Sequence, residues 1–311
     1  MEKPWKFKKE KSILEDYEKL AFLSRKLEKV YANRPNLNDF VGAMKGTKFE
    51  ENYTQERIDD DLAFVNFRRS KIEEKESSSG QRELERKSGS FALSEISQAI
   101  VVDQINNYGW LKDFKATMTS DYDDLSVGID AVLKSKNEKG YLGAAFDFTS
   151  SVNPMIINKK IRDEWDFRIK KGSVPTVKYF RDPDTQKQQS LVVPKFIIGI
   201  SREDVENMAR AYLENREDSL AEYRLQYLII EQIEVQLNYI LDFYDKHKNG
   251  KNFGLARKQY QTVEKIIKHT KNEMGYGELP MDKKLELHEY FKNSIALDLI
   301  KSFGLAREVE Q

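Results

Sequence analysis

The chain has 311 residues, with 52 Lys and Arg against 52 Asp and Glu, so no global field draws it towards nucleic acid or acidic lipid and any polyanion site must be local. The absence of cysteine excludes a disulfide framework and a thiolate zinc site, and three histidines, His247, His269 and His288, leave little for an imidazole cluster. A 39% hydrophobic share is enough to bury a core despite 33% charge, no segment approaches the ~20 apolar residues of a membrane span, and the N-terminal stretch lacks the apolar run of a signal peptide, so a cytoplasmic protein is expected.

In chain order, Ile13, Leu14, Tyr17, Leu20, Ala21, Phe22, Leu27 and Val30 recur at three- and four-residue spacing and predict a helix over 8–32, ending near Asn33-Arg34-Pro35. Ile58, Leu62, Val65 and Ile72 predict a second helix over 54–76, with Ser77-Ser78-Ser79-Gly80 as a linker. A helix over 91–108 comes next. Alternating apolar and polar residues then predict strands at 112–118, 126–134, 142–149, 175–181 and 191–200, with a helix over 154–171 between the third and fourth. Phe196-Ile197-Ile198-Gly199-Ile200 is almost continuously apolar, which predicts a strand covered on both faces and central in its sheet.

Ser201-Arg202-Glu203-Asp204 opens a helical C-terminal part, with helices expected at 202–215, 217–247, 255–274 and 281–303. Tyr223, Tyr227, Ile230, Ile233, Leu237, Leu241 and Tyr244 form a packing seam on the second of them. Phe-Gly-Leu-Ala-Arg occurs at 253–257 and again at 303–307, but the flanking sequences do not match, and coincidence outweighs a true repeat. The expected organisation is a mixed α/β (α+β) core over 90–200 between a helical region at 1–89 and a helical bundle at 201–311.

The chemistry is concentrated in Asp123-Asp124-Leu125-Ser126-Val127-Gly128-Ile129-Asp130 and in Gly143-Ala144-Ala145-Phe146-Asp147-Phe148-Thr149. If these are adjacent antiparallel strands with a turn near Asn137-Glu138, facing residues sum to about 277, and Asp130 meets Asp147 on one face. Opposed like charges on neighbouring strands are destabilising unless compensated. Magnesium, commonly held by one or two carboxylates plus substrate phosphate, is one compensator, and Gly128 and Ala145 leave room for it. The alternative is that one aspartate accepts turn amides while the other is solvated. Glu95, on a helix face with Ala92, Ala99 and Val102, is a third candidate ligand or else a solvated carboxylate, and Asp103 competes with it. Lys159, Lys160, Arg162, Arg168, Lys170 and Lys171, interleaved with Trp165 and Phe167, suit phosphate contacts with stacking, and equally suit an ordinary amphipathic helix. Phosphate loops, dinucleotide fingerprints and nucleophile elbows are absent from the sequence.

The order helix with Glu95, strand with Asp130, hairpin, strand with Asp147, helix, strand resembles the restriction-endonuclease-like PD-(D/E)xK superfamily over about 110 residues. The resemblance implies a mixed-sheet core, magnesium on Asp130 and Asp147 with help from Glu95, and hydrolysis of DNA or RNA. Thr149 stands where that family places its lysine, and a neutral hydroxyl supplies no positive charge to the transition state. Some members carry the lysine on the following helix, which points to Lys159 or Lys160. The alternative is a catalytically inactive nuclease-like scaffold whose helical flanks bind protein, nucleic acid or a second copy of the chain. The chain as a whole is also similar to uncharacterised proteins of reduced-genome candidate-phylum bacteria, a likeness that implies no activity.

Overall fold

In a computed structural model, residues 17–77, 81–112, 114–135, 143–150, 154–247 and 252–292 are described. The linker at 78–80, the turn at 137–138 and the second Phe-Gly-Leu-Ala-Arg lie outside them. Helices α1 (Tyr17–Lys26), α2 (Glu28–Ala32), α3 (Gln55–Ser77) and α4 (Gln81–Asn107) precede strand β1 (Phe114–Met118). Then come α5 (Asp121–Val127), β2 (Ala131–Ser135), β3 (Gly143–Thr149), α6 (Pro154–Phe167), β4 (Thr176–Arg181), β5 (Gln188–Val192) and β6 (Lys195–Gly199). The helices α7 (Arg202–Leu213), α8 (Leu225–Lys246), α9 (Phe253–Glu273) and α10 (Met281–Lys292) make up the described C-terminal part. The class is mixed α+β with a helical C-terminal region, as expected. Among the described residues no helix is long and apolar enough to cross a membrane.

One sheet has the order β1-β2-β3-β6, antiparallel except for the parallel β3–β6 pair, and β4–β5 is a separate hairpin. The β2–β3 register sets Ala131 opposite Phe146 and Val132 opposite Ala145, which is the predicted sum of 277. Alternation then sorts the sheet's faces. Ala131, Leu133, Ala144, Phe146 and Phe148 join a core shared with Ile96, Ala99 and Ile100 of α4 and with residues of α1, α7, α8 and α9. Val132 and Ala145 face the other way, against Val177 and Phe180 of β4 and Leu191 of β5. The larger core thus runs through residues on both sides of positions 90 and 200.

Three sequence expectations need correction. The strand expected at 126–134 begins only at Ala131, because Ser120 caps a helix ahead of it: its hydroxyl accepts the Asp123 N–H at 3.1 Å, three acids occupy the first turn, and Gly128 ends the helix at φ 64°. The strand expected at 191–200 is two strands. Pro194, which has no N–H, separates β5 in the hairpin from β6 in the main sheet, and its carbonyl accepts the Ala145 N–H at 2.7 Å. β6 is also an edge strand rather than a central one. Its apolar sequence follows from helices covering its outer edge: Gln236 of α8 pairs with the N–H and C=O of Ile197 at 3.0 and 2.9 Å, and Gln232 with those of Gly199 at 2.7 and 3.1 Å. The opposite edge is closed in the same way, since Asn106 of α4 exchanges two hydrogen bonds with Ala116 of β1, at 2.8 and 2.9 Å.

Asp123 treats a third edge with its carboxylate. It is fully buried, accepts the backbone N–H groups of Lys178 and Tyr179 at 2.7 and 3.0 Å where β4 departs from regular pairing, and is also bonded by the Ser120 hydroxyl at 2.7 Å. Its whole environment donates. We expect Asp123→Asn to lower the free energy of unfolding by about 1–3 kcal/mol in a urea titration, because the new amide N–H₂ confronts a backbone donor that it cannot accept from. An unchanged urea midpoint would show that these contacts do not hold α5 to the hairpin.

Candidate active site

Asp147 lies on the Val132–Ala145 face of the sheet, and the same parity brings Asp130 to that face one residue before β2. The two sequence-predicted acids therefore project to one side, and both are about 95% buried (5% exposed each). Pairing extends to Asp130, whose N–H donates to the Phe146 carbonyl at 2.8 Å, while its carboxyl Oδ2 accepts the Phe148 N–H at 2.6 Å.

Two ammonium groups bracket Asp147. Lys160, from α6, bonds Oδ1 and also reaches the Phe148 carbonyl at 3.2 Å; Lys195, from β6, sits 2.8 Å from Oδ2. In register Lys195 faces Ala145, so it approaches from the neighbouring strand, two residues before Asp147 on the same face. Lys195 also donates to the Val127 carbonyl at 3.1 Å, at the end of α5, and lies 3.6 Å from the buried Glu164. Gly128 closes over the pair. A Cβ there would come within 3.2 Å of Lys195 Nζ and 3.3 Å of Asp147 Oδ2, so both the left-handed backbone and the crowding call for glycine.

The charges act on one another as their positions dictate. Burial works against the anionic form of Asp147, but Lys195 and Lys160 outweigh it and hold the carboxyl below its ordinary range. Asp130 is pushed the other way, well above that range, by burial first and then by the negative charges of Asp124 and Asp147. Asp124, on α5, is hydrogen-bonded to Asp130 and is likewise raised by burial, against the opposing pull of Arg34. Burial favours loss of the Lys160 proton, yet Asp147 and Asp130 raise its pKa and keep it a cation. The cluster is a graded one: the two lysines favour the anionic form of Asp147, while burial and neighbouring negative charge disfavour the anionic forms of Asp130 and Asp124.

Other expected residues go elsewhere. Lys159 is exposed, about a third of a turn round α6 from Lys160, and is not brought to the acids. Glu95 turns to Arg34 at 3.5 Å, which in turn pairs with Asp121 at 2.7 Å, so the guanidinium stands beside the helix acid that was expected to reach the sheet. Asp103 accepts from Tyr212 and Asn107, away from this site. Trp165 is buried against Phe243 and offers no stacking face, while Arg168 is tied to Glu164 and the Val127 carbonyl, and Lys170 to Asp166. Among the described residues, no three or more Asp, Glu or His side chains are grouped so as to hold a metal ion.

Sequence reasoning missed Lys195, Asp124, Arg34 and Glu164. Lys195 carried a signal, being a lone cation at the head of a strand otherwise too apolar to tolerate one. Asp124 would have followed from recognising the Ser120-capped helix. A scan against protein-family models, a search of curated proteins and a search of solved structures each return no match for the chain.

Proposed function

We propose that the protein is a magnesium-dependent phosphodiesterase of the PD-(D/E)xK kind, acting on DNA or RNA, with Asp130 and Asp147 as the metal-binding pair and Lys160 in place of the lysine missing at Thr149. The observation that carries this reading is the contact of Lys160 with Asp147 from the solvent side, within the electrostatic reach of Asp130 and Asp124. Two carboxylates suit magnesium, which usually completes its shell with water and substrate phosphate rather than with an all-protein cage. Bound there, the ion would supply Lewis acidity and a water of lowered pKa. Lys160 stays charged and is a third exposed, so it can place its ammonium against a phosphate oxygen at the mouth of the site. Asp124 stands beside Asp130, and Gly128, closing over Asp147 and Lys195, adds no side-chain atoms there.

One observation favours the alternative of an inactive scaffold that binds nucleic acid or a protein partner: both oxygens of Asp147 are already engaged by ammonium groups. The deciding measurement uses end-labelled single- and double-stranded DNA and RNA, with magnesium or manganese. The wild type should cut at least one substrate and Asp130→Asn none, while the variant unfolds at the same urea concentration or higher. Retention of a nucleic acid without cleavage under any metal would support the scaffold.

A further inference from the structure

We propose that Glu164 of α6, Tyr244 of α8 and Tyr260 of α9 form a binding site for one internal water molecule, and that this water moors the second carboxylate beside Lys195. The inference does not depend on the phosphodiesterase reading.

Three polar atoms carry it. Glu164 Oε1, Tyr244 Oη and Tyr260 Oη are buried, and among the described residues none of them has a hydrogen-bond partner. Their residues are 2%, 0% and 0% exposed, so bulk solvent does not reach them either. Buried polar atoms are nearly always paired, and three bare ones that lie together ask for a common partner. They do lie together: the two tyrosine rings have centroids 6.0 Å apart, and the charge of Glu164 acts on both phenols.

Their hydrogen-bonding needs are complementary. Burial first, and then Glu164, push the pKa of both phenols up, so each keeps its proton. The Lys195 backbone N–H opposes the rise at Tyr260 as a nearby donor, so what that hydroxyl lacks is an acceptor. Glu164 shows the reverse, because its Oε2 is taken by Arg168 and lies 3.6 Å from Lys195 Nζ, while Oε1 is an acceptor that lacks a donor.

A bridging molecule must therefore accept from two phenols and donate to one carboxylate. Water does both, and the count matches the roughly three hydrogen bonds of a typical buried water. A cation would meet Arg168 and Lys195, which already balance Glu164, and an anion would meet the carboxylate itself. Lys195 stands between two acids, Asp147 Oδ2 at 2.8 Å and Glu164 Oε2 at 3.6 Å, and the water fixes the second of them from the α8 and α9 side.

The test compares the wild type with Tyr244→Phe, Tyr260→Phe and the double variant by crystallography, by oxygen-17 relaxation dispersion, which counts long-lived internal waters, and by urea titration. The wild-type map should show one peak about 2.5–3.0 Å from all three oxygens. The double variant should lose that peak and about one water's worth of dispersion amplitude. Each single substitution should lower the urea midpoint, and the second should add less than the first because the two hydroxyls share a partner. A direct tyrosine–Glu164 hydrogen bond with nothing between would overturn the proposal, and so would a peak that gains anomalous signal on soaking with thallium, which marks a monovalent cation. Unchanged or raised urea midpoints in both single variants would also overturn it, since removing a hydroxyl that has no partner costs nothing.

Discussion

The same substitution, aspartate to asparagine, should have opposite consequences at the two facing positions of the site. Asp147→Asn removes the anion between Lys160 and Lys195 and leaves the buried Lys195 ammonium with the Val127 carbonyl at 3.1 Å and the longer Glu164 contact at 3.6 Å. Breaking a buried pair by deleting one partner costs about 3–5 kcal/mol, because the remaining charge stays desolvated. Half of that loss is already a large fraction of a typical domain's stability, so the variant should unfold at a visibly lower urea concentration.

Asp130→Asn should be neutral or stabilising at neutral pH. The amide that replaces the carboxyl can still accept from the Phe148 N–H through its oxygen, its N–H₂ can donate to Asp124, and a group whose anionic form burial, Asp124 and Asp147 disfavour is replaced by a neutral one. The pH profiles separate the two further. Asp147 has a depressed folded-state pKa, so its contribution is present above the ordinary carboxylate pKa of about 4 and is lost as the pH falls through the lower folded value. Asp130 has a raised one, so the wild type loses stability as the pH climbs from about 4 towards that higher value, and Asp130→Asn is spared the loss. Urea titrations of the three proteins across this range test both signs. Equal destabilisation by the two substitutions would mean that the lysines do not discriminate between the acids.

Much of this site could be read from sequence because β-structure has a period of two: once a tight turn near 137–138 was assumed, any odd sum of facing residues placed Asp130 and Asp147 on one face, and the register has such a sum, 277. Helix α6 was legible for the same kind of reason, and Lys160 with it. The errors came from contacts between elements distant in the chain. Glu95 fitted a small-residue face, but nothing local foretold that Arg34, 61 residues earlier, would take its carboxylate. Phe196–Ile200 read as a central strand because burial on all sides was the only signal available, and sequence does not distinguish a neighbouring strand from a neighbouring helix that mimics one. The mimicry was recorded in α8, where Gln232 and Gln236 are buried among Ile229, Ile233, Leu237 and Ile240. Two glutamines on a packing seam ask for polar partners.

Those glutamines carry the second large expectation, that Gln232→Leu with Gln236→Leu strips β6 of its outer hydrogen bonds while keeping its apolar packing. The pair satisfies two N–H and two C=O groups on Ile197 and Gly199, both buried in the fold. Each buried backbone group left without a partner costs about 1–3 kcal/mol, less whatever relaxation admits water. Because the two sites are adjacent, we expect a combined loss of about 2–5 kcal/mol rather than a strict sum. Hydrogen exchange at the Ile197 and Gly199 amides should accelerate first, since these N–H groups lose their acceptors directly. An uncovered edge strand of this apolarity is also a template for pairing with another chain, so the double variant should form oligomers in light scattering that the wild type does not. Lys195 heads the same strand, so if β6 loosens, the Lys195–Asp147 ion pair loosens with it and the stability that pair contributes should fall in parallel with amide protection. Unchanged protection at both amides in the double variant would show that burial alone holds the strand, and the mooring of Lys195 would need another explanation.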